Sequence, residues 1–305
     1  TSSCGIWETG ENLASVASNS NVKATDAGKP SICVGGIFGW TQCSISVNTE
    51  LGTNRVATTG VAKISNVTVE SPMQYSIYDR NNLPGAGGFI GRADYGKNSI
   101  YNLTITAAEE GCYIGGSAAN SGNLNNIGGC IGYIICGNGS SYRFDGCTFS
   151  GLHIAAKGSG TGGLIGNFTS NYDITCNAIT AEGLKLDSQF AGGLLGKVGG
   201  VVNVNITNSK IASSTFQQAN SGCISGEGKG KFHFVNVLLD SNTFNKKDQQ
   251  GILLGNVDTN NLGGYELYAA GISVKLAKGQ TNADMPALIR ASNNSKIGKV
   301  NQKSY

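Results

Sequence analysis

Gly192-Gly193-Leu194-Leu195-Gly196 is the stretch whose reading decides the fold. Two glycines, two apolar residues and a third glycine recur as Gly162-Gly163-Leu164-Ile165-Gly166. Earlier copies are Gly35-Gly36-Ile37-Phe38-Gly39, Gly87-Gly88-Phe89-Ile90-Gly91 and Gly128-Gly129-Cys130-Ile131-Gly132. Two later copies, Gly222-Cys223-Ile224-Ser225-Gly226 and Gly251-Ile252-Leu253-Leu254-Gly255, keep the outer glycines. The first glycines stand at 35, 87, 128, 162, 192, 222 and 251, giving intervals of 52, 41, 34, 30, 30 and 29 residues. A spacing that settles near thirty after longer early intervals predicts a repeat architecture carrying insertions.

Each phrase is followed by polar residues and then by an alternating run. The runs are Ile64–Val69, Ile100–Ile105, Tyr142–Phe149, Ile174–Ile179, Val204–Ile211 and Phe232–Leu239. Their period is two and they are rich in β-branched and aromatic residues, so they read as strands. A weaker third run follows, as at Leu152–Ala155 and Leu184–Leu186. Two or three short strands per thirty residues describe one coil of a solenoid, in which each coil pairs only with its neighbours. The expected fold is therefore all-β: a parallel β-solenoid, or β-helix, of about seven coils. It spans 31–256, with insertions near 40–86 and 106–127. Residues 1–30 read as an N-terminal cap or joining arm and 257–305 as a C-terminal cap. Within the latter, Tyr265–Tyr268 and Ile272–Leu276 read as strands and Pro286–Ala291 as a short helical turn.

The phrase, followed by an apolar-x-Asn strand, resembles the GLUG repeat of bacterial and protist surface proteins. Seven copies in a converging register cover most of the chain. The resemblance implies a secreted adhesin or surface-layer material and no catalytic residue. The repeat glycines that carry it are Gly35, Gly39, Gly87, Gly91, Gly128, Gly132, Gly162, Gly166, Gly192, Gly196, Gly222, Gly226, Gly251 and Gly255.

Charged residues make up 13% of the 305, about half the usual share. The surface must then be covered by Asn, Ser, Thr and Gly, as in many extracellular β proteins. A net charge of +3 with no basic cluster speaks against nucleic-acid binding. No apolar run is long enough to span a membrane. The chain opens Thr1-Ser2-Ser3-Cys4, which reads as a mature secreted protein or a fragment of a larger one. An extracellular or cell-surface location is expected.

Nine cysteines and two histidines, His153 and His233, form no zinc-spaced set. Disulfides between neighbouring coils are the expected use of Cys33, Cys43, Cys112, Cys130, Cys136, Cys147 and Cys176. Cys33 and Cys43 form a local pair flanking the first phrase, and Cys147 and Cys176 occupy nearly matching slots one coil apart. Cys223 reads as a buried small hydrophobe. Asn66, Asn102, Asn208 and Asn236 recur at similar places, as in a hydrogen-bonded asparagine ladder. Of the glycosylation sequons, Asn138, in a Gly-rich loop, is the one placed to carry a glycan.

Solenoid lyases and hydrolases need paired carboxylates or clustered aspartates. The 19 acidic residues here are scattered, and Glu109-Glu110 is the one adjacent pair. The glycine phrases lead into strands and not helices, so they are not phosphate cradles. The reading is of a non-enzymatic protein without a cofactor. It would act in assembly into a filament, sheath or surface layer, or in adhesion, with itself end to end or with other surface proteins as partners. The alternative is a discrete carbohydrate- or host-binding module. Tyr75, Tyr78, Tyr95, Tyr101 and Tyr113 would then offer sugar contacts, unless they fill the coil.

Overall fold

One regular coil shows how the sequence makes the architecture. Its strands are Ile174–Asn177, Thr180–Glu182, Lys185–Asp187, Ala191–Gly192 and Leu195–Gly199. Each pairs in parallel with its counterpart in the next coil, Ile174 opposite Val204, Lys185 opposite Thr215 and Leu195 opposite Ser225. Repetition of this path gives four sheets, of 13, 9, 7 and 5 strands. The computed structural model describes residues 3–6, 14–18, 21–23, 33–42, 44–48, 62–65, 68–70, 85–107, 113–115, 125–135, 140–156, 158, 160–169, 172–200, 202–257, 266–291 and 296–297. Over these the chain is an all-β parallel solenoid of about seven coils.

The strands alternate because one face of each looks into the stack. Val47, Ile100, Phe144, Cys176, Ile206 and Phe234 share one buried row. Ile64, Ile105, Phe149, Ala181, Ile211 and Leu239 form a second. Val69, Ile114, Ile154, Leu186, Phe216 and Phe244 form a third, where the Phe216 and Phe244 rings stack at 5.2 Å. Burying each large side chain contributes about 1.5–3 kcal/mol relative to exposure. The intervening residues point outward and are partly exposed.

The phrase forms a tight corner between a two-residue strand and a five-residue one. A Cβ on Gly192 would lie 1.9 Å from the Leu195 carbonyl oxygen, and one on Gly193 would lie 2.2 Å from that of Cys223. Glycine is required because backbone meets backbone there.

A different corner breaks the alternating runs. Asn102, Gly146, Ala178, Asn208, Asn236 and Gly271 follow aligned residues in successive coils, and all have positive φ, between 48° and 64°. Asparagine and glycine tolerate this left-handed conformation best.

Described strands at both ends pair into the stack. Ser3–Ile6, Ala14–Ser18 and Asn21–Lys23, within the segment read as a cap, pair in parallel with the following coil and so belong to the stack. At the other end Glu266–Lys275 pairs along Lys231–Asp240 as a further rung. Ala287–Ala291 is a strand, not a helical turn. It extends a sheet that its neighbours already open to it, and tertiary pairing overrides a weak local signal. The chain between these strands stacks on the preceding coil, where Gln280 donates to the Asn242 carbonyl and Lys247 to that of Ala283. Residues 49–61, 71–84, 108–112 and 116–124 of the insertions, and with them Tyr75, Tyr78 and Glu109-Glu110, lie outside the described residues.

Candidate functional surfaces

Among the described residues, the cysteines do not clip the coils together. Cys33, Cys130, Cys147, Cys176 and Cys223 are free thiols. This corrects the disulfide expectation for Cys33, Cys130, Cys147 and Cys176, while Cys43, Cys112 and Cys136 lie outside the described residues. Register explains the case of Cys147 and Cys176. Cys176 stands opposite Phe144 and Ile206, whereas Cys147 lies one residue before Thr148, the partner of Thr180. The two thiols therefore occupy different rows of the core. Cys223 is fully buried, as expected of a small hydrophobe.

No three His, Cys, Asp or Glu residues converge to hold a metal ion among the described residues. His153 and His233 sit half-buried on outward positions of separate strands. Burial and nearby Lys185 hold His153 below the usual imidazole range. No described helix is long and apolar enough to cross a membrane.

An asparagine ladder runs on the outside of the corner, with Asn208 and Asn236 among its members and Asn177 added. Asn177 donates to Asp145 at 2.9 Å. Thr207 and Asn208 both donate to the Asn177 carbonyl oxygen, at 2.8 and 2.9 Å, and Asn236 donates to that of Asn208 at 2.8 Å. Asn66 and the sequon residue Asn138 lie outside the described residues.

A polar and aromatic cluster lies on the nine-stranded sheet. Trp40, Arg92 and Tyr133 are aligned across three coils. The Arg92 guanidinium lies 5.0 Å from the Trp40 ring centre and 5.8 Å from that of Tyr133. Its Nε donates to Asp94 Oδ1 at 2.7 Å, and Trp40 Nε1 donates to Asp94 Oδ2 at 2.9 Å. Arg92 and Asp94 are almost wholly enclosed, while Trp40 is 51% exposed. Tyr95, next to Asp94 in sequence, is half exposed at the following turn. Tyr101 instead is buried against Arg143, whose guanidinium lies 5.6 Å from its ring centre. Each aligned residue of the row follows the last glycine of its phrase, so the phrase itself carried the signal. Asn167, Lys197 and Glu227 continue the row, the last two as an ion pair at 2.9 Å.

The second surface is the last rung of the largest sheet. Glu266–Lys275 pairs on one side with Lys231–Asp240, and no described strand pairs with its other edge. Leu267 is 39% and Tyr268 58% exposed. Leu267 lies opposite Phe232 and Ala269 opposite Phe234, both buried, so the row ends reach solvent here.

The rows and corners define a parallel β-solenoid whose largest sheet ends in a rung that no described strand pairs on its outer edge. No family model, curated protein or solved structure matches the chain.

Proposed function

We propose that the protein is a non-catalytic structural or cell-surface solenoid that works by assembly or adhesion, outside the cell or on its surface. The observation that carries the reading is the open rung. An edge ten residues long that no described strand pairs, with Leu267 and Tyr268 exposed, is a template for another strand, and proteins that stay monomeric blunt such edges. The likeness of the Gly-Gly-Leu-Leu-Gly phrase to the GLUG repeat supports a surface role. So does the low share of charged residues.

A second reading, a discrete carbohydrate-binding module, is favoured by the Trp40 cluster. An exposed indole whose N–H is pinned to a carboxylate, beside a guanidinium, presents an apolar ring face with polar groups at its rim, the kind of lining that fixes a ligand's orientation. Sedimentation velocity over a concentration series separates the two. Species larger than one chain, growing with concentration, support assembly. A chain monomeric throughout, retained on immobilised glycans and released by Trp40→Ala, supports the module and contradicts assembly.

A further inference from the structure

The open edge of Glu266–Lys275 is self-complementary. We propose that it pairs, antiparallel, with the same strand of a second copy, joining two solenoids end to end about a two-fold axis. The inference rests on the assembly reading above and names its joint and its partner.

The strand reads Glu266-Leu267-Tyr268-Ala269-Ala270-Gly271-Ile272-Ser273-Val274-Lys275. Taken inward from both ends, acid faces base, Leu267 faces Val274, Tyr268 faces Ser273 and Ala269 faces Ile272. Side-chain direction agrees with this list. Leu267 and Ala269 lie opposite the buried Phe232 and Phe234, while Ile272 and Val274 lie opposite the buried Val237 and Leu239. Between the two halves stands Gly271, at φ 64°, which resets the alternation at the corner. Antiparallel pairing that sets Glu266 against Lys275 therefore brings each core-facing residue against another core-facing residue. A slip of one residue sets Leu267 against Ser273, or Tyr268 against Val274, and mixes the faces. A slip of two leaves Glu266 and Lys275 without each other.

A two-fold contact needs this match, because residue i meets j and j meets i. The axis runs outward through the Gly271 corner. It exchanges the two halves of the strand and sets the core-facing Leu267, Ala269, Ile272 and Val274 of each copy against those of the other. The charged ends have room to engage. Glu266 and Lys275 already touch Lys231 and Asp240, at 2.8 and 3.7 Å, yet their side chains are 58% and 64% exposed.

Charge reversal with mixing, on the full chain, tests the joint. E266K sets Lys against Lys at both ends of the pairing, and K275E sets Glu against Glu. Each alone weakens self-association in sedimentation equilibrium, roughly tenfold or more if each cross-strand pair changes from attraction to repulsion. Mixed in equal amounts, the E266K chain offers only Lys at the two positions and the K275E chain only Glu. Association then returns toward that of the unaltered protein. Loss of the contacts to Lys231 or Asp240 within a chain cannot be repaired by mixing, so recovery reports the joint. Variants that associate as the unaltered chain does, or a mixture that fails to recover, overturn the proposal while leaving assembly standing. An unaltered chain that is monomeric at every concentration removes both.

Discussion

Cys147 is enclosed in the core, and its burial pushes the thiol up to about 12 from an ordinary 9.0. Burial acts in the same direction on Cys130, Cys176 and Cys223. The folded chain holds these protons where the unfolded chain releases them. A raised folded value means that the contribution is whole below pH 9.0 and is lost as pH rises toward about 12. The urea midpoint should therefore fall above pH 9.0, and fall less in Cys147→Ala when each chain is compared with its own midpoint at neutral pH. Indifference of the slope to that substitution would mean that the Cys147 thiol is not enclosed. At this scale the sequence misleads. Cys147 and Cys176 are 29 residues apart, near the repeat of about thirty, but the register step between their coils is 32 residues, from Phe144 to Cys176 and from Thr148 to Thr180, so a spacing read from the average repeat puts the two thiols in one row.

Among the elements, the glycine corner is the one most fully written in the chain. Gly193 stands under the Cys223 carbonyl of the next coil, and a Cβ there would meet fixed backbone at 2.2 Å. Gly193→Val should cost about 3 kcal/mol or more, read as a lowered urea midpoint. Gly183 provides the contrast. It turns a corner at φ 65°, and the nearest atom to its Cβ would be 3.7 Å away. Gly183→Asn should cost well under about 1 kcal/mol, since asparagine adopts that conformation with little strain. Equal losses at the two sites would reduce the phrase to a turn marker. The repeat, the strand runs and their parallel stacking were legible because glycine spacing and period-two alternation report backbone geometry directly. The placement of asparagine was visible but its cause was not. Asn102, Asn208 and Asn236 recur because a left-handed corner accepts them, and the ladder that Asn208 and Asn236 join runs outside the core. The Arg92–Asp94 pair escaped notice because its worth comes from enclosure, which no local pattern reports. Asp94→Ala should cost about 3–5 kcal/mol by leaving the guanidinium buried without that partner.

For the whole molecule, the stack determines what association must look like. Coils add along one axis at about 4.8 Å each, so a joint made through the last rung lengthens the particle without thickening it. Packing through the faces, by the Trp40 row or the asparagine ladder, would thicken it instead. Small-angle X-ray scattering over a concentration series reads the two dimensions separately and is the most direct test of assembly through the open rung. The account predicts that the longest dimension about doubles as concentration rises while the radius of gyration of the cross-section stays constant. A longest dimension that never changes, or a cross-section that grows with it, would contradict the account.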